Sequence, residues 1–530
     1  MSISVLDCTL RDGGFVNNWA FGHVSLINIY LRLANAGIEI VELGFLNDSY
    51  TFNKNASIMP KTEDFNRIYD IEPDKKPMLV GMVILGECRI DNIGPAKDSM
   101  LDAIRIVFKK QNIAEGLEYC RRVIEKGYQV SVQPAAITDY TEQELIDLLN
   151  QVNALNPYAV YIVDTYGLMH KDTLLKYFRI MDQNMPQHIK LGYHPHNNFN
   201  VAYANATELF NQDITRDLIV DTTVYGMGKG AGNANTELVT YFLNAYYNKN
   251  YDIANILEII NIDILDLYKK YGWGYSFEKF VSAANMCHPK YVDFLVGKNT
   301  LPINAINSIL SQLTGKDKTN YNEPLIKTLY KDYMYKDNRL SDDLNKLKTE
   351  LSGKDVLILC PGKNITKHKA DVANYIDEKK PTVVSANFFS RAFACDYILV
   401  SNAKRYSGMY YQFAKMKGDN KIITTTNVSA IGGKADYVLN ADDVKFEDPI
   451  IKYNSALILI RICKLAGVGS IAIAGFDGYT EGKSRSADYV EGDFSYKTPV
   501  EGSQINALVK AEIEKLDCEI NFLTPSLYSK

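Results

Sequence analysis

The chain has 530 residues, more than one ordinary core of roughly 100–200 residues, and its 46% hydrophobic and 23% charged content is that of a globular protein rather than a disordered, collagen-like or coiled-coil chain. A formal charge of −5 argues against a nucleic-acid partner, and no run of 18 apolar residues exists to span a membrane. Eight scattered cysteines with no C-x-x-C pair, and a start with neither a basic region nor a long apolar run, predict a reduced, cytoplasmic protein.

Short β-branched runs at 3–8, 38–45, 78–85, 103–108, 129–134, 159–164, 190–194 and 218–223 predict eight strands. Between them, 24–36, 113–126, 142–155, 171–183 and 201–211 carry apolar residues three or four apart, the helical period. Strand–helix alternation implies parallel strands with crossover helices. Eight such units in about 250 residues fit a TIM barrel. An open doubly wound sheet is the alternative, and the regularity of the units favours closure. The predicted organisation is a barrel over 1–245, a helical extension over 246–340, a linker over 341–354 and a second α/β domain over 355–530. That last domain has strands expected at 355–360, 382–386, 396–401, 421–425, 437–439, 470–475 and 519–523, and a long apolar helix at 449–466.

Catalytic groups of a TIM barrel sit at the C-terminal ends of its strands. The first strand ends in Asp7-Cys8-Thr9-Leu10-Arg11-Asp12-Gly13-Gly14, and the seventh in His194-Pro195-His196-Asn197. Residues i and i+2 of an extended segment point the same way, so His194 and His196 can share one divalent ion. With only seven histidines in the chain, metal binding and an ordinary structural role are evenly matched on spacing alone. Asp12 would complete a two-histidine, one-carboxylate site, although Asp before Gly is also a common turn residue. Mixed nitrogen and oxygen ligation suits Mn²⁺ or Mg²⁺, with Zn²⁺, Fe²⁺ and Co²⁺ also admissible. Glu42 inside an apolar strand is rare unless paired, and a contact with Arg11 would explain both residues.

The segment 6–14, the strand-two Glu42, the H-x-H-N at 194–197 and the glycine-rich loop 226–233 match, in order, the motifs of the DRE-TIM metallolyases. Over roughly residues 1–245 the chain resembles that superfamily, which includes 4-hydroxy-2-oxovalerate aldolase, 3-hydroxy-3-methylglutaryl-CoA lyase, and the 2-isopropylmalate and homocitrate synthases. The resemblance implies Asp12, His194 and His196 as metal ligands, with Asn233 as a fourth ligand or an outer partner. It implies Arg11 as the stabiliser of an enolate oxygen, Glu42 as the group that orients it, and Asp164 as an active-site acid, for which a helix cap is the plain alternative. Tyr275 in Gly274-Tyr275-Ser276 is similar to a tyrosine of the aldolase extension that reaches back into the barrel. A packed aromatic is the alternative in a chain with 36 tyrosines.

The pattern departs from its relatives at Phe15, where the aldolases place a histidine. His23 is the nearest replacement base in sequence. Loop 226–233 carries Lys229 and no cysteine, which argues against a CoA-thioester lyase. Gln133 and Thr165, at strand ends, are expected to contact substrate.

The expected function is a metal-dependent aldolase joining or cleaving a pyruvate-like 2-oxo acid and an aldehyde, sugar-derived ones included. The alternatives are an acyl-CoA/2-oxo acid condensing enzyme and a decayed barrel carrying a ligand-binding domain. In the second domain, Gly362 follows one strand and Asp477 another. The domain is broadly similar to Rossmann-like domains that handle nucleotides or sugar phosphates, and these two residues are the candidates to bind such a ligand; an ordinary βα turn at Gly362, and a second enzyme or an oligomerisation unit for the domain, are the alternatives. A homo-oligomer is expected.

Overall fold

The computed structural model describes residues 2–213, 215–298, 301–334, 342–414, 420–429, 435–480 and 501–529. The chain divides into two compact units, Met1–Pro289 and Lys290–Lys530. The stretch 246–340, expected as one extension, is therefore shared between them.

In the first unit, eight parallel strands close on themselves. They are β1 (Ile3–Asp7), β2 (Ile40–Leu46), β3 (Met78–Ile84), β4 (Ala103–Phe108), β5 (Gln129–Pro134), β6 (Ala159–Val163), β7 (Lys190–His194) and β8 (Leu218–Thr222). Each pairs with the next in parallel, and β1 pairs with both β2 and β8, so the barrel is complete. A two-residue strand, Ile58–Met59, is added beside β2. Crossover helices include α1 (Thr9–Asp12), α2 (Gly14–Asn17), α3 (His23–Asn35), α4 (Ile113–Glu125), α5 (Glu142–Asn153), α6 (Lys171–Asn184), α7 (Ala202–Phe210) and α8 (Thr236–Tyr246). Local signals set their ends. Thr141 opens α5 with a capping box, its hydroxyl accepting from the Glu144 amide at 3.3 Å.

The strands are mostly apolar because both faces are covered. Alternate residues part company. Val5, Leu79, Ile104, Val130, Val160 and Val220 face the helices in the outer core. Leu6, Val80, Ala103, Tyr161 and Ile219 form a separate cluster inside the barrel. Glu42, Arg105 and Asp221 continue the inward-facing series of their strands, two residues beyond Ile40, Ala103 and Ile219. All three are fully buried.

Arg216, buried just before β8, shows how loop polarity is absorbed. It donates to the carbonyls of Asp182, Met185, Pro186 and Ile189 at 2.6–2.9 Å and to Asp182 Oδ1 at 2.7 Å, closing the C-terminal end of α6. Arg216→Ala strands several buried carbonyls and is expected to cost about 3 kcal/mol, read as a lower urea midpoint for the barrel unit. A change under about 0.5 kcal/mol would show that water replaces the guanidinium.

The second unit contains helices between Pro289 and Met334 and a seven-stranded parallel sheet. Its strands are β9 (Asp355–Leu359), β10 (Thr382–Ala386), β11 (Tyr397–Val400), β12 (Lys421–Thr425), β13 (Tyr437–Leu439), β14 (Ser470–Ala474) and β15 (Asn521–Phe522). They run in the order β13-β12-β11-β10-β9-β14-β15. Val356 and Ile358 of β9 enter one core and Leu357 and Leu359 the other, so both faces of the sheet are covered. The apolar helix expected at 449–466 begins at Ser455, where Asn454 caps it through the Leu457 amide. No helix among the described residues is long and apolar enough to cross a membrane.

Candidate active site

The site begins where β1 ends. Thr9 N–H donates to Asp7 Oδ1 at 2.9 Å and the Thr236 hydroxyl donates to Asp7 Oδ2 at 2.5 Å, which turns the chain directly into α1. Burial pushes the Asp7 carboxyl up to about 6 despite these donors. A Cβ on Gly14 would lie 1.9 Å from the Trp19 indole, so only glycine lets that ring lie against the turn. The Trp19 Nε1–H donates to the Arg11 carbonyl at 2.9 Å. The result is a rigid single turn that presents Arg11 and Asp12, both buried.

Asp12 meets His194 and His196 there. Their ligating atoms all lie within 4.8 Å of one another, and all three residues are buried. The two imidazoles stand nearly perpendicular, 5.0 Å between centroids. His194 Nδ1 is 2.7 Å from Asp221 Oδ2, a contact that favours the tautomer with its proton on Nδ1 and makes Nε2 the nitrogen available to a metal. Burial, opposed by Asp12, holds His196 down to about 3, so that ring is neutral at pH 7 and able to ligate. Burial would raise Asp12, but Arg11, the imidazoles and Asn233 outweigh it and hold the carboxylate well below its usual range. Asn233 Nδ2 donates to Asp12 Oδ2 at 2.6 Å, while its buried Oδ1 has no partner among the described residues.

The loop 226–233 is glycine-rich for steric reasons. A Cβ on Gly228 would sit 2.6 Å from Asp12 Oδ2, and one on Gly232, at φ +79°, 1.9 Å from the Gly226 carbonyl. This close approach also brings the Lys229 N–H to Asp12 Oδ2 at 3.3 Å. Two imidazoles, an ionised carboxylate and an amide oxygen with no partner among the described residues are a donor set that suits a divalent cation. A second buried group, Cys8, His194 and Asp221, also has ligating spacing. It fits a metal less well, because burial pushes the Cys8 thiol far up and Asp221 is already committed to His194 and Arg105.

Arg11 spreads its guanidinium between two acids. Nε donates to Glu42 Oε2 at 2.7 Å and Nη1 to Asp12 Oδ1 at 2.5 Å, while the buried Nη2 has no partner among the described residues. Below lies a residue that sequence reading passed over. Arg105 Nη1 is 2.9 Å from Glu42 Oε2, and Nη2 pairs with Asp221 Oδ2. With its amide carbonyl turned inward, Gln133 accepts from Arg105 Nε at 2.6 Å. The available signal was a charge at an inward position of an otherwise apolar strand, as in Ala103-Ile104-Arg105-Ile106-Val107-Phe108 and Leu218-Ile219-Val220-Asp221-Thr222.

Of the other sequence candidates, Asp164 adjoins the group, its N–H donating to the His194 carbonyl at 3.0 Å. Asp164, at the end of β6, accepts from the Leu168 and Met169 amides at 2.9 and 3.1 Å. Burial outweighs these donors and raises it to about 7. The Thr165 hydroxyl accepts from the Ala136 amide at 2.7 Å. Phe15 packs edge-on against Trp19, 4.9 Å between centroids. His23 opens α3, its backbone N–H donating to Asn55 Oδ1 at 3.1 Å, and no hydrogen bond or ion pair among the described residues ties it to the Asp12 group. Tyr275 is 58% exposed. Gly362 and Asp477 lie in the second unit, against each other. Asp477 Oδ2 accepts the Asn364 N–H at 2.7 Å, and a Cβ on Gly362 would lie 2.4 Å from Asp477 Cγ.

Residues 2–262, the barrel and the first part of the following helices, match the HMGL-like family. The chain is similar to the oxaloacetate decarboxylase of Mycobacterium tuberculosis, 26% identical over 264 residues, 49% of this chain and 76% of that protein. It is similar to the 4-hydroxy-2-oxovalerate aldolase of a Marinomonas species, 23% identical over 278 residues, 49% of this chain and 77% of that protein. Among solved structures it is similar to the N-terminal domain of a Bacteroides vulgatus protein described as an aldolase. That match is 24% identical, with a TM-score of 0.46, covering 55% of this chain and 96% of that one.

Proposed function

We propose that the HMGL-like domain is a divalent-metal-dependent carbon–carbon lyase, an aldolase that makes or breaks the bond between C3 of a pyruvate-like 2-oxo acid and an aldehyde carbon. The observation that carries this reading is the buried Asp12–His194–His196 group with Arg11 hydrogen-bonded to one member. These three residues and Asn233 would hold the ion, Mn²⁺ or Mg²⁺ suiting the set best. When bound, the metal supplies Lewis-acid polarisation of the ketone.

The rest falls to the chain's own residues. Glu42 holds the Arg11 fork, so the Arg11 Nη2–H, with no partner among the described residues, is a prepositioned donor for the oxygen on which enolate charge develops. Asp221 keeps the Nδ1 proton on His194. Trp19 and Phe15 close the side of the turn with apolar surface.

A second reading is favoured by Phe15. Aldol cleavage must remove a hydroxyl proton as the bond breaks, and a phenyl ring cannot take it. Loss of CO₂ from a 2-oxo diacid such as oxaloacetate reaches the same enolate without that transfer, in keeping with the name of the Mycobacterium tuberculosis relative.

The test is deuterium exchange at pyruvate C3, followed by NMR on the full chain with Mn²⁺ or Mg²⁺. Metal-dependent exchange abolished by a chelator is the expected result. Consumption of aldehyde then supports the aldolase, and CO₂ release from oxaloacetate without aldehyde consumption supports the decarboxylase. No exchange with either ion, together with thiol release from acetyl-CoA and a 2-oxo acid, would overturn both.

A further inference from the structure

We propose that Arg105 is a positioning residue that ties the metal-holding half of the site to the enolate-stabilising half. The proposal rests on the lyase reading above. Arg105 is on β4 and is 0% exposed. Its guanidinium lies 4.7 Å over the Tyr161 ring, above the apolar cluster of Leu6, Val80 and Ala103. No solvent reaches it, so its partners alone balance its charge.

Those partners are shared in a particular way. Glu42 Oε2 lies 2.9 Å from Arg105 Nη1 and accepts Arg11 Nε at 2.7 Å. Asp221 Oδ2 pairs with Arg105 Nη2 and lies 2.7 Å from His194 Nδ1. The other oxygen of each carboxylate, Glu42 Oε1 and Asp221 Oδ1, has no partner among the described residues. A continuous path therefore runs Arg11–Glu42–Arg105–Asp221–His194. One end is the donor proposed for the enolate oxygen, and the other is a proposed metal ligand.

Stability alone gives no reason for this sharing, since a buried ion pair is often matched by apolar residues of the same volume. The sharing does have a consequence for geometry. Without the guanidinium, Glu42 and Asp221 would be two poorly solvated carboxylates in one dry layer. Asp221 would no longer be held in place against His194, releasing the orientation of that ring. Glu42 would draw Arg11 toward itself and away from Asp12. One substitution would loosen both halves, although Arg105 touches neither metal nor substrate.

The experiment measures Mn²⁺ affinity by calorimetry and the kcat and KM of pyruvate exchange, on the full chain, for Arg105→Gln, Arg105→Lys, Asp221→Asn and Glu42→Gln. Arg105→Gln is expected to weaken Mn²⁺ binding about tenfold or more, as outer partners of ligands do, and to lower kcat at saturating metal with KM nearly unchanged. Asp221→Asn should act mainly on metal affinity, and Glu42→Gln mainly on kcat. Arg105→Lys, a single point charge, should restore one property and not both. A folded Arg105→Gln protein with wild-type Kd and kcat and only a lower Tm would overturn the proposal and leave Arg105 a packing residue. If Arg105→Gln does not fold, full recovery of both properties in Arg105→Lys overturns it instead. Wild-type Mn²⁺ binding without exchange would overturn the reaction proposed above, and the Kd comparison would still decide the tie.

Discussion

His194→Ala is expected to lower the rate of pyruvate C3 exchange by about 10³-fold or more, equivalent to about 4 kcal/mol of transition-state stabilisation, and to weaken Mn²⁺ binding in parallel. The substitution removes one of the two imidazoles that face Asp12. It also leaves Asp221, fully buried, with Arg105 as its remaining partner, so some loss of stability accompanies the loss of ligation. A urea midpoint and a metal titration on the same preparation separate the two effects. If the variant keeps near-wild-type exchange, or if exchange in the native chain survives a chelator, the cluster is not where the reaction depends on metal.

Arg11→Lys is expected to cut kcat by about 10²-fold or more at saturating Mn²⁺ while changing metal affinity only a few-fold. Lysine keeps the charge and loses the fork. Arg11 reaches Glu42 and Asp12 with two nitrogens and retains a third, Nη2, with no partner among the described residues. A lysine ammonium drawn to the same two carboxylates has no fixed donor left for the developing oxygen charge. The discriminating quantity is kcat with metal saturating, because Arg11 also adjoins Asp12. An unchanged kcat with weakened Mn²⁺ binding would move Arg11 from charge stabilisation to support of a ligand.

The two substitutions probe opposite ends of one ionic layer, and that layer explains the pattern of what could be read in advance. Periodicity is local. Alternating runs of β-branched residues and amphipathic segments locate strands and helices to within a few residues, because each element must bury its own apolar side. His194 and His196 are two apart on one strand end, so their convergence follows from the strand's own geometry. Asp12 and Arg11 stand at the end of the first strand, which is enough to bring them to the same rim once the barrel closes.

Other features depend on distances between strands that no local pattern contains. Arg105 and Asp221 are 116 positions apart and become partners only because β4 and β8 face each other across a closed barrel. Gly14 reads as a flexible turn residue until Trp19 is found lying against it. Tyr275 belongs to a motif that suggests a role in the barrel, yet the fold leaves it largely exposed. Gly362 and Asp477 read as two open strand ends, and packing sets one against the other. By itself, then, the sequence determined the alternation of elements, the closure of eight units and the rim residues of individual strands, since each follows from how one segment buries its own surface. Only the tertiary structure decided which charges share the barrel's interior and how they pair, because a buried charge is stable only beside partners that arrive from distant parts of the chain.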